Sequence, residues 1–104
     1  MKIDEVRRRI ENGKYLIKIH AIHHALKEGF EQKNMLEAVK NGKIIEEYTE
    51  DCRILIGGAV NLTDKATIYL HVVCEYADDN YVEFVTAYIP DNEIWENPPF
   101  RRRR

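Results

Sequence analysis

The chain has 104 residues, of which 44% are hydrophobic, and a formal net charge of −2. That length and composition suit one domain with an ordinary core and exclude both two independent cores and wholesale disorder. Its 16 basic and 18 acidic residues do not signal a nucleic-acid partner through net charge, and no apolar run approaches the roughly eighteen residues of a membrane span. The opening segment, MKIDEVRRRIENG, lacks the continuous apolar stretch of a secretory signal, so a cytoplasmic location is expected. Ile3, Val6 and Ile10 recur at helical spacing and Gly13 follows as a stop, which predicts a helix over 3–12. Tyr15 to Ile19 alternates and suggests a short edge strand. Residues 20–28 predict a second helix with Ala21, Ile22, Ala25 and Leu26 apolar, ended by Gly29 and covered by Phe30. Residues 31–41 repeat the pattern, with Met35, Leu36 and Val39 inward and Gly42 as the stop.

The remainder reads as strands. Lys43–Thr49, Cys52–Gly57, Ala66–Tyr76 and Tyr81–Ile89 are rich in Ile, Val, Tyr and Thr, with turn residues between them. Consecutive strands with short connections predict an antiparallel meander, and helices before strands give a single α+β domain. Pro90–Phe100 holds three prolines and Trp95, so it is expected to cross the surface as an ordered loop. Cys52 and Cys74 have no metal-ligand spacing and are expected to be reduced and packed. Four of the basic residues form the tail Arg101–Arg104, and without them the body carries −6 (−2 less the tail's four positive charges). Local basic patches remain at Arg7–Arg9 and in the tail, where solvated surface charge is the simplest reading.

Chemistry is concentrated in the histidines. His20, His23 and His24 lie within five residues, and His20 and His24 share a helix face. His71 is a conceivable third metal ligand with them, but the usual metal motifs are absent, and no metal or other cofactor is expected. If Ala77–Asn80 is a four-residue loop, Tyr76 pairs with Tyr81, His71 with Thr86, and Tyr69 with Tyr88. His71, Thr86 and Tyr88 then cluster on one face with Val73 and Phe84, opposite an apolar face of Ile68, Leu70, Val72 and Cys74. A histidine can take or give a proton near neutral pH, a tyrosine can donate a hydrogen bond, and nearby cations can stabilise a phosphate. These are the groups that metal-independent RNA cleavage needs. A packed structural histidine and a core tyrosine are the bland alternative.

At these residues the sequence resembles the family called domain of unknown function (DUF) 4258. The ordered elements are IHA (19–21), Gly29-Phe30, Met35–Val39, GKIIEEY (42–48), LIG (55–57), LHVV (70–73), TAYIPD (86–91) and Trp95. His24 stands where the pattern more often has arginine, and the helix over 3–12 is additional to it. The resemblance implies a fold similar to RelE-like toxins, with helices packed on a curved antiparallel sheet of four to five strands. It implies a type II toxin that cleaves RNA and is silenced by a cognate antitoxin protein. By position it puts His20, His71 and Tyr88 in catalysis and Thr86 beside them. Lys18, His24, Arg101 and Arg102 are then the expected phosphate-binding cations. A binding module that grips RNA or protein without cleaving it, and a remnant that keeps its histidines for packing, remain open alternatives.

Overall fold

The structure is a computed structural model and describes residues 2–91, 94–96 and 101–102. Three helices, α1 (Ile3–Glu11), α2 (Ile19–Glu28) and α3 (Gln32–Asn41), alternate with and then precede the strands. The strands are β1 (Tyr15–Ile17), β2 (Lys43–Tyr48), β3 (Arg53–Thr63), β4 (Ala66–Glu75), β5 (Val82–Tyr88), β6 (Trp95–Glu96) and β7 (Arg101–Arg102). The fold is α+β, as expected. No described helix is long and apolar enough to cross a membrane.

Each helix has a local cause. α1 carries Asp4 and Glu5 in its first turn and Arg8 and Arg9 in its last, which suits the helix dipole. α2 ends on Gly29 in the left-handed region (φ 86°), and Phe30 folds under as a buried plug. At the start of α3 the Asn34 side chain accepts from the Glu31 N–H (2.8 Å) and donates to the Asn61 carbonyl (3.3 Å). One buried amide therefore both caps the helix and ties it to β3.

Five strands form one sheet in the order β1-β5-β4-β3-β2. From β2 to β5 it is the predicted antiparallel meander. The expectation of a wholly antiparallel sheet is corrected at one edge, where β1 runs parallel to β5 and makes the sheet mixed. β3 runs on to Thr63, past the predicted end at Gly57. Val6, Ala21, Ala25, Phe30, Met35, Ala38 and Val39 meet Ile54, Ile56, Leu70, Val72, Cys74 and Phe84, so the helices cover one face of the sheet. Cys52 and Cys74 are both free thiols, and burial pushes the Cys74 thiol well above its ordinary value.

The predicted register of the long hairpin is also corrected. His71 lies opposite Tyr88, Val72 opposite Ala87 and Val73 opposite Thr86, but Cys74 lies opposite Phe84. Val85 is therefore the extra residue of a β-bulge. The bulge keeps His71, Val73, Thr86 and Tyr88 on one face, as expected, but turns Phe84 over into the helix-side core. Beyond β5 the chain does not merely cross the surface. Trp95–Glu96 pairs antiparallel with Arg101–Arg102, and Trp95 is 1% exposed. Residues 92–93 and 97–100 of the predicted loop lie outside the described residues.

Candidate active site

The face of the sheet that turns away from the helices holds His71. Its side chain has no exposed surface. Three features on neighbouring elements box it in. Its cross-strand partner Tyr88 brings the phenol oxygen to 3.3 Å from Nδ1, with the rings edge to face at 5.3 Å. On a neutral ring lacking a proton at Nδ1 the hydroxyl donates; with Nδ1 protonated the ring N–H donates to the phenol oxygen. Trp95 lies edge-on to the imidazole with ring centroids 4.5 Å apart. Beneath, Gly57 pairs with His71 on β3, and a Cβ there would stand 3.3 Å from His71 Cδ2 and 3.0 Å from Ile45 Cγ1. A glycine at this point lets the ring lie against the backbone.

The second group lies along α2, beside the edge of β5. The pairing of β1 with that edge ends at Phe84, and among the described residues no other strand takes it up. His24 fills part of the gap. Its Nδ1–H donates to the Ala87 carbonyl (2.6 Å), and Glu28 Oε2 stands 2.9 Å from the same nitrogen. Glu28 Oε1 accepts from the Ile89 N–H (3.3 Å). Held this way, His24 presents Nε2 outward, as an acceptor on a neutral ring and as a donor that could meet an anion on a protonated one. His20, one turn earlier and exposed, stacks on His24 with centroids 5.8 Å apart. Lys18 caps the start of α2 and pairs with Glu83 (Nζ to Oε2, 3.2 Å) while staying half exposed.

The fold therefore brings His71 to Tyr88, with Thr86 one strand step away on the same face, and separately brings His20 to His24. Lys18 joins the outer face through Glu83, which lies on the same side of β5 as Thr86 and Tyr88. Arg101 and Arg102 supply the backbone of β7, and their side chains lie outside the described residues. Among the described residues no group of three or more His, Cys, Asp or Glu is placed to hold a metal ion. Gly57, Ile45 and Trp95 are site walls that sequence reasoning did not assign. The Gly57-Gly58 pair inside a strand-like run was the available signal, since glycine there marks a close approach of other atoms to the backbone.

A family model described as "Domain of unknown function (DUF4258)" matches residues 17–89, which takes in the last residue of β1, the helices α2 and α3, strands β2 to β5 and every site residue named above except Trp95 and the two arginines. No curated protein and no solved structure matches the chain. With most of its length covered by that one model, the chain belongs to the DUF4258 family.

Proposed function

We propose that this protein is an endoribonuclease that works without a metal ion, and that it is the toxin of a type II toxin–antitoxin pair. The observation that supports this reading best is the contact between His71 Nδ1 and the Tyr88 hydroxyl on the outer face of the sheet. In the proposed reaction one member of the pair His71 and His20 takes the proton from a ribose 2′-hydroxyl. The freed oxygen attacks the adjacent phosphorus, the bond to the leaving 5′-oxygen breaks, and the other histidine protonates that oxygen. The products are a cyclic phosphate and a free hydroxyl end. Tyr88 orients His71, and Lys18, His24, Thr86 and the tail residues Arg101 and Arg102 hold the phosphate. An antitoxin protein that masks the same face would silence the activity.

A second reading has its own support. His71 is fully buried under Trp95, as a histidine kept for packing would be. On that reading the domain binds RNA or protein without cleaving, or is a degenerate toxin. Cleavage demands that Trp95 move off the ring; binding and packing do not. The deciding experiment is inducible expression of the intact chain beside His71→Asn, with growth and cellular RNA integrity scored. Asparagine keeps a polar side chain in a site where alanine would open a cavity. Growth arrest with RNA cut, both lost in a folded His71→Asn protein, is the expected result, and purified protein should cut RNA equally well in EDTA. Intact RNA, or cleavage that survives the substitution, would transfer the weight to the second reading.

A further inference from the structure

The helix facing solvent beside the site has its apolar side outward. Ile19, Ile22 and Leu26 fall at i, i+3 and i+7 on α2, one stripe of the helix, and Leu26 is 76% and Ile19 70% exposed. The buried side of the same helix is made by Ala21 and Ala25, so the larger apolar residues are the ones left in water. The stripe runs into a groove of about 360 Å3 at the α2–α3 corner, where Ile22, Leu26 and Phe30 meet Lys33. An exposed apolar stripe that continues into a concave groove is the form of a helix-docking surface.

Charge selects the occupant. From Asn12 to Lys27 the sequence has no acidic residue, in a chain with 18 of them. His20, His23 and Lys27 are exposed on the solvent side of α2. The first acid, Glu28, is turned toward the end of β5, where it accepts from Ile89, and Glu31 in the groove is already paired with Lys33 (3.2 Å). An island with apolar centre and basic flank, on a body that is otherwise acidic, complements an amphipathic segment with acidic flanks. A second copy of this chain fits poorly, because α2 on α2 would set His23 and Lys27 against their own likeness. RNA fits poorly as well, since the most exposed residues of the stripe are apolar and offer phosphate nothing.

We infer that the α2 stripe, Ile19–Ile22–Leu26, with its groove, is a docking surface for an acidic amphipathic helical segment of a partner protein. This rests on the exposure and charge of α2 and not on the ribonuclease reading. The test uses the full chain and a fluorescent synthetic peptide of about four helical turns, built of Ala, Leu and Glu with leucines at i, i+3 and i+7. A peptide with every Glu replaced by Lys and a single-stranded RNA of matching length serve as comparison probes. Fluorescence anisotropy should show the acidic peptide binding and the basic one not. Leu26→Glu and Ile19→Glu should each weaken binding by about tenfold or more, with thermal unfolding unchanged because both side chains lie in solvent. His71→Asn should bind as the parent does, so failure of this inference and failure of the ribonuclease reading are separately visible. The inference is overturned if the acidic peptide shows no binding, if the two peptides bind alike, or if Leu26→Glu changes nothing. It is overturned equally if the RNA binds and Leu26→Glu abolishes that binding.

Discussion

At the tip of the β4–β5 connection, Asp78 Oδ1 accepts hydrogen bonds from the backbone N–H groups of Asn80 (2.8 Å) and Tyr81 (2.9 Å). Those bonds, Asn80's first and Tyr81's second, with a smaller contribution from the Arg9 charge, hold the Asp78 carboxyl below its ordinary value. A carboxyl lowered in the folded state binds fewer protons there than in the unfolded chain. Its contribution to stability is therefore complete above the ordinary carboxylate range and is lost as pH falls through the lowered folded value. Asp78→Asn keeps an oxygen that can accept the same two bonds but removes the charge. Urea unfolding at neutral pH should find the variant less stable than the parent, and the gap should close well below about pH 4. A gap that is the same at both pH values would mean that the charge contributes nothing. The same turn is gripped from outside, because Arg9 donates to the carbonyls of Asp78 (3.0 Å) and Tyr81 (3.3 Å). Residues near the turn thus hold in place the hairpin that carries His71 and Tyr88.

Among the elements, the end of α3 and the middle of β3 come close at glycines, Gly42 in the cap of α3 and Gly58 in β3. A Cβ on Gly58 would lie 2.5 Å from the Ala38 carbonyl oxygen and 3.0 Å from Gly42 Cα. Both neighbours are backbone of the last turn of α3 and its cap, so neither can swing aside as a side chain would. Gly58→Ala should lower stability by about 1–3 kcal/mol, measured by urea unfolding, and a variant as stable as the parent would show that α3 is free to shift. The helices were legible because their apolar positions and glycine stops are local: Val6 and Ile10, Gly29 after α2, Gly42 after α3. The grouping of His71, Thr86 and Tyr88 on one face was legible for the same reason, since strand alternation is local. The partner of His71 was not. Val85 and Thr86 are both good strand residues, and nothing in either marks which one bulges. The parallel pairing of β1 with β5 joins Tyr15 to Val82, far apart in sequence, and so leaves no local trace. Trp95 against His71 is hidden likewise, because the contact depends on where the chain turns after Pro90.

Across the whole molecule the sheet is covered on both sides, by unequal layers. Three helices pack one face through a continuous apolar core. On the other face His71 and Trp95 are buried, and Leu55, which pairs with Val73 on that side, is fully buried too. The family match begins at residue 17 and ends at 89, so α1 and the β6–β7 ribbon lie outside the matched span. α1 is tied firmly. Val6 is buried, and Arg7 donates to the Val39 (2.9 Å) and Gly42 (2.6 Å) carbonyls at the end of α3. Among the described residues the ribbon pairs two residues with two, and its Trp95 packs on His71. Trp95 is the chain's only tryptophan, so its emission reports this layer alone, whereas far-UV circular dichroism reports the helices and sheet. On the ribonuclease reading, where His71 must be uncovered to act, the tryptophan emission should shift to the red at lower urea than the loss of the dichroism signal. Coincident transitions would mean that Trp95 and the main core unfold as one unit. His71 would then be a packed residue throughout the native range, and the non-catalytic reading would follow.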